Sequence, residues 1–452
     1  MSCLELTFRR YYGPEFVATA ILRWLTDAQI ETAHIDPHRG ASPRAGKLGL
    51  MSAETDRTPN APPPGIRAST PYSPRLESLR GWAILLVFLF HADSTILGAA
   101  RTVGGGRIGD TVPIPFAFIT SGHTGVTLFF VLSAFLLSKP FLEENRGGRR
   151  VIRRHFFERR LLRIMPLYTV AVITAVILCL DRENAAREGL LALFFLNSFT
   201  GTAMNLMPYS AVWWSLATEA QFYVVLPLLG PCLRSRSGRV LGAVALIAWA
   251  IAYLTLVSDR EIVPLGPRLV LGLSLLGRAP AFLVGIGAAW LVSKHGDRIR
   301  EAARSRRWLR NGGADALLLA TLLGLGTLLQ EVTRIGFFAA DSSSPTWHVF
   351  ESGLWGFVVL LVVLAPLRSL PLISNRALET IGMLSYSIYL IHEPMIHFGV
   401  LELVARDVPL QQDLVLRMMF IVGAAALCLG MSALTYRYIE RPFLLRKARI
   451  DR

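Results

Sequence analysis

Beyond about residue 80 the chain is a succession of apolar stretches of helical length, separated by charged or Pro/Gly-rich breaks. A helix needs roughly 20 predominantly apolar residues to cross a hydrocarbon core about 30 Å thick. On that measure spans are predicted near 82–99, 123–142, 164–180, 213–232 and 240–257, then near 279–293, 314–330, 347–366, 382–403 and 414–436. The expected fold class is all-α, a polytopic integral membrane protein of about ten transmembrane helices. Two shorter apolar runs, at 190–199 and 268–277, have about half the spanning length and are expected to be interfacial or re-entrant.

Residues 1–74 break this pattern, because a mixed opening leads into the Pro-, Ser- and Thr-rich stretch TPNAPPPGIRASTPYSP from Thr58 to Pro74. Such composition predicts a disordered N-terminal extension. Glu5, Arg9, Arg10, Glu15 and Arg23 interrupt the opening, so no signal peptide is expected. A second methionine, Met51, makes residues 1–50 an expected upstream-start artefact or dispensable extension. The membrane domain is expected over 75–446, with 447–452 as a basic tail.

Charge sets the expected orientation. The five alternate loops that begin with Lys139–Arg163 carry 27 Lys and Arg, against nine in the other five. By the positive-inside rule the richer set, and both termini, are cytoplasmic. The same loops account for the net charge of +15 without a nucleic-acid partner. At 52% hydrophobic and only 17% charged the chain is excluded from the soluble class, where about 25% is charged. The cysteines Cys3, Cys179, Cys232 and Cys428 show no CxxC and no metal-ligand spacing. No metal and no permanently bound cofactor is implied.

Polar residues inside the spans are the candidate chemistry. In RLESLRGWAILLVFLFHAD, His91 follows Arg80 by eleven residues, about 16 Å of helix, so the imidazole is expected deep in the hydrocarbon. An ionisable group there is costly unless it faces a partner or cavity; the alternative is a neutral packing histidine between helices. In GMLSYSIYLIHEP, Tyr389 and His392 share a face at i, i+3, and Pro394 loosens the helix. They read equally as catalytic or as aromatic glue. In WWSLATEAQFYVVLP, Trp214, Ser215, Glu219, Gln221 and Tyr223 enter the membrane. A buried carboxylate there is expected to orient a histidine, bind a substrate hydroxyl or pair with Arg278.

RHFFERRLLRIMPLY presents Arg159, Arg160 and Arg163 at a membrane surface, suited either to phosphate or to anionic-lipid anchoring. In span two, Gly122, Gly125, Ser133 and Ala134 permit close helix approach, and His123 is expected at the outer interface. GxSxG, Walker and HExxH patterns do not occur.

Taken in order, these pieces are similar to the integral membrane acyltransferase 3 family: Arg80 to His91, GHTGVTLFFVLSAF, RRLLRIMPLY, WSLATEAQFY, GRAPAFLVGIG, YSIYLIH and YRYIERPF. The resemblance covers about Pro74 to Phe443 and implies O-acylation of sugars and other hydroxyl acceptors at the bacterial inner (cytoplasmic) membrane. It implies that Arg80 and His91 are essential and that Arg159, Arg160 and Arg163 engage an acyl-coenzyme A co-substrate. The catalytic set is expected to be His91, Glu219, Tyr223 and His392, with Arg80, Ser133, Trp214, Arg278, Tyr389 and the three clustered arginines binding substrates. The family's Ser-Gly-Phe is Ser133-Ala134-Phe135 here, which relaxes an expected close approach, and no appended SGNH-type hydrolase is expected after Phe443. The expected partners are acyl-coenzyme A, a hydroxyl-bearing glycan or glycoside and the lipid bilayer. A proton-coupled secondary transporter or flippase, with His91, Glu219 and His392 as relay, is the alternative reading; no internal repeat between the halves supports it.

Overall fold

The structure, a computed structural model, describes residues 73–97, 111–197, 206–232, 235–258, 271–335 and 346–450. Residues 1–72 of the expected N-terminal extension, with the Met51 start, lie outside the described residues. Every regular element among the described residues is helical. In chain order they are α1 (Pro74–Leu97), α2 (Ile114–Thr120), α3 (Thr124–Glu144), α4 (Arg153–Leu178) and α5 (Ala185–Leu193). There follow α6 (Trp213–Cys232), α7 (Arg236–Ser258), α8 (Leu275–Ser305), α9 (Ala314–Ile335) and α10 (Trp347–Leu364). The last are α11 (Leu370–Ile373), α12 (Arg376–Met383), α13 (Ser385–Val404), α14 (Leu414–Thr435) and α15 (Arg441–Ile450).

Among the described residues, seven helices are long and apolar enough to cross a membrane: α1, α3, α4, α8, α9 with its preceding turn, α10, and α14 with the segment that follows it. This is a multi-pass membrane protein. Helices α6, α7 and α13 stand at the fourth, fifth and ninth of the predicted span positions. Several helices outrun their apolar stretches. Helix α1 starts at Pro74, with Ser73 accepting from the Leu76 and Glu77 amides, because proline at the first helical position is preorganised for helix. Helix α4 likewise starts at Arg153, since an Arg-rich segment forms helix well once outside hydrocarbon. The run at 190–199 enters the short helix α5, whereas Leu275 to Gly277 of the second short run form the first turn of α8.

Backbone contact between helices holds the interior together. Gly81 of α1 lies against the Leu378 carbonyl of α12, and Gly382 of α12 lies against the Glu77 carbonyl of α1. On the other flank, Gly125 of α3 sits on the Ala83 carbonyl of α1. Gly285 of α8 faces the Val131 carbonyl and the Ala134 side chain of α3. The approach expected to be relaxed at Ser133-Ala134-Phe135 is therefore retained, because the small residue stands on the opposing helix. Without a hydrophobic difference between lipid and side chain, such close packing is what joins helices in a bilayer. Gly125→Val, which drives a side chain into the Ala83 backbone, is expected to destabilise the fold by at least about 1–3 kcal/mol. A lower melting temperature and loss of monodisperse protein in detergent would register it; an unchanged melting temperature would count against this packing.

Candidate active site

Helices α1 and α13 cross so that their histidines meet, with the ring centroids of His91 and His392 4.9 Å apart. Each Nδ1 faces a carbonyl of its own helix: that of His91 lies 2.9 Å from Val87 O, and that of His392 lies 3.0 Å from Ile388 O. A carbonyl only accepts, so both Nδ1 atoms carry the proton. His392 Nε2 is then an acceptor, and it lies 3.2 Å from His91 Nδ1, whose N–H it shares with Val87 O. One proton pattern satisfies all three contacts and leaves His91 Nε2 with a lone pair. His91 is half-buried, while His392 is 0% exposed. His392, a member of the expected catalytic set, therefore stands behind His91, where its acceptor nitrogen fits one tautomer of that residue.

The rings of Phe90 and Phe88 pack on this pair, and Tyr389 lies one turn back with its centroid 5.8 Å from that of His392. The Tyr389 hydroxyl donates to Val212 O at 3.0 Å and accepts from Ser215 at 2.6 Å. These bonds make Tyr389, one of the expected substrate-binding residues, a clamp between α13 and α6. Proline at 394 stays within α13.

A second polar group fills the seam nearer Arg80. Glu219 of α6 accepts from Ser133 of α3 in a short hydrogen bond and from the Tyr223 hydroxyl one turn along. The Arg160 guanidinium sits 5.9 Å from the Tyr223 ring centroid. Arg80 and Arg163 lie within electrostatic reach of one another and of Glu219, Tyr223 and Glu77, and Arg159 adds its charge beside Arg160. Guanidiniums from α1 and α4 thus converge on one lining, a meeting of two helices that the spacing within each did not give. Arg80, Arg160 and Arg163 stand among the carboxylates of Glu77, Glu219 and Glu440, so the lining carries both signs, with the planar guanidiniums suited to bidentate contacts. Ser133→Ala takes one donor from a carboxylate inside the membrane and is expected to reduce kcat/KM about tenfold, the effect of roughly 1.4 kcal/mol. Wild-type turnover by this variant would separate the Ser133 bond from function.

Arg278 does not pair with Glu219. It lies in the first turn of α8, 5% exposed, stacked 5.3 Å from the Trp214 ring centroid and hydrogen-bonded to His348 at 2.5 Å. His348 Nδ1 in turn lies 3.0 Å from Glu351, which is 0% exposed. His123, expected at an interface, lines a small pocket there with Thr127, Phe130, Trp214 and Arg278. Phe90 separates the two groups, its ring 5.0 Å from His91 and 5.4 Å from His123.

Sequence reasoning missed His348 and Glu351 in the eighth span, although WHVFES carried the same signal of charged groups inside an apolar run. It also passed over Glu440, 3% exposed and bonded by Ser387, and Glu393, the neighbour of His392. Glu440 lies within electrostatic reach of Arg163 and closes the arginine group from the C-terminal side.

A family model described as an acyltransferase domain matches residues 73–437. Among curated proteins, the chain is 23% identical over 390 residues to the O-acetyltransferase OatA of Staphylococcus aureus strain NCTC 8325, covering 82% of this chain. It is 25% identical over 402 residues to a putative O-acetyltransferase of S. aureus strain MSSA476, again over 82% of this chain. The chain spans 57% of the length of each of these relatives. No solved structure matches it.

Proposed function

This chain belongs to the acyltransferase 3 family, and we propose that it moves a short acyl group, acetyl by preference, from acyl-coenzyme A to a hydroxyl of a carbohydrate or glycosylated acceptor. The observation that carries the reading is the His91–His392 pair, which presents one imidazole lone pair, fixed by a buried partner, about 16 Å along α1 from Arg80 and its arginine neighbours. His91 Nε2 takes the proton of the acceptor hydroxyl as the oxygen attacks the thioester carbonyl. The C–O bond forms, the C–S bond breaks, and the same imidazolium returns its proton to the leaving thiolate. Arg80, Arg160 and Arg163 hold the phosphates of the donor, as planar guanidiniums do bidentately. The bias of Lys and Arg among the loops supports a cytoplasmic arginine mouth and residence in the inner membrane. The names of the S. aureus relatives support acetyl as the group and a hydroxyl oxygen as its destination.

The test is thiol release from acetyl-coenzyme A by the purified protein, coupled to mass spectrometry of envelope glycans from deletion and complemented strains. Thiol release together with an acetyl mass on a glycan, lost on deletion, supports the proposal. Gradient-driven uptake into vesicles without thiol release would replace it with transport.

A further inference from the structure

The histidine pair has a third member. Glu393, adjacent to His392 on α13, is 7% exposed, and one of its carboxylate oxygens, Oε2, is buried without a hydrogen-bond partner among the described residues. Ligand atoms of His91, His392 and Glu393 all lie within 4.8 Å of one another. A carboxylate kept from water and left with an unfilled acceptor is costly, and it is retained where a cation or proton visits it.

The geometry points to a proton as that visitor: we propose that Glu393 is a positioning residue that supplies the negative charge paired with His91 when His91 is an imidazolium. The inference rests on the reading of His91 as the base. Three groups with metal-binding side chains at this spacing also suit a divalent cation, but the Nδ1 atoms of both histidines point at carbonyls and so carry protons. The Nε2 of His392 is taken up by the His91 N–H, which leaves a metal only one of the four imidazole nitrogens. When His91 removes the acceptor's proton, a positive charge appears in a region lined by Phe88, Phe90 and Tyr389. The His392 ring spreads that charge by one hydrogen bond but adds no opposite charge. Glu393 does, at a range where an opposite charge favours the charged form of a histidine by about 1–3 pH units. Once the thiolate has taken the proton, the carboxylate is again uncompensated and the site is reset.

Among the described residues, the titratable groups that face Glu393 are His91 from α1 and His392 beside it. Glu393→Gln keeps the shape and removes the charge. In the full chain, with acetyl-coenzyme A as donor and methyl N-acetyl-β-glucosaminide as acceptor probe, thiol release gives kcat and KM across pH. Activity that needs a neutral base rises with pH, and loss of a neighbouring anion disfavours the charged form of that base, so the acidic limb of the Glu393→Gln profile moves about 1–3 units toward lower pH. The plateau kcat falls at least tenfold, and KM for the donor stays as in the wild type. Glu393→Asp, still charged but one methylene shorter, moves the limb less. If the amide variant does not accumulate, the aspartate variant decides alone by the direction of its smaller shift. A limb that stays in place in a folded variant overturns the inference, as does activity lost to chelators and restored by zinc. Full thiol release by His91→Ala, run beside them, would instead remove the base assignment underneath.

Discussion

His91→Ala is expected to lower acyl transfer to an acceptor by about 10²–10⁴-fold, the usual worth of a positioned general base, while the protein still folds. The expectation of folding follows from the packing around the residue. His91 is half-buried, and its side chain bonds only to Val87 O of its own helix and to His392. The Gly125 and Gly81 contacts that seat α1 lie one to three turns away from the substituted position. The loss should fall on kcat, with the donor KM little changed, because Arg80, the α1 member of the arginine group proposed to hold the phosphates, lies about 16 Å away along the helix. Steady-state thiol release with and without acceptor measures both. Full transfer by a monodisperse His91→Ala protein would end the assignment.

The second large effect is expected from the arginine seam and has the opposite kinetic signature. Arg163→Gln removes a charge that reaches Glu77, Glu440, Tyr223 and Glu219 and stands beside Arg80. A charge-assisted hydrogen bond to phosphate is worth roughly 1.5–3 kcal/mol, so the donor KM should rise about 10- to 100-fold. Turnover at saturating donor should survive to a much larger extent. Arg163→Lys keeps the charge without the planar fork and should recover only part of the affinity. Raising the salt concentration should weaken donor binding to the wild type more than to Arg163→Gln, because screening acts on the charges that remain. Equal loss of kcat and affinity in Arg163→Gln would mean that the residue holds the fold instead.

Much of this fold is legible in the sequence, because a bilayer leaves few solutions for an apolar stretch of about 20 residues. Span positions could be read wherever an apolar run was bounded by charge, as at Gly122 to Lys139. What could not be read was the helix beyond the hydrocarbon, as in the first turns of α1 and α4, where hydropathy falls while helix propensity does not. Short helices such as α2 and α12 were equally invisible, since their apolar faces answer to neighbouring helices and not to lipid. At the site, His91 and Arg80 were legible by depth and spacing along one helix. The partnership of His91 with His392 was not, since it joins residues 301 apart in the chain. The same limit explains Arg278, whose partners His348 and Trp214 come from two other helices. Ser133 shows the converse, a residue expected to bind substrate that spends its hydroxyl on Glu219.

The central claim is that the open nitrogen of His91 faces the place where the activated ester binds. A cryo-electron-microscopy structure of the wild-type chain with a non-cleavable acetyl-coenzyme A thioether analogue tests it most directly. The account predicts phosphates against Arg80, Arg160 and Arg163 and the acyl carbon within about 4–5 Å of His91 Nε2, near enough for an acceptor oxygen to lie between them. An analogue seated elsewhere, with the His91 ring turned toward lipid or walled off from the bound acyl group, would contradict it.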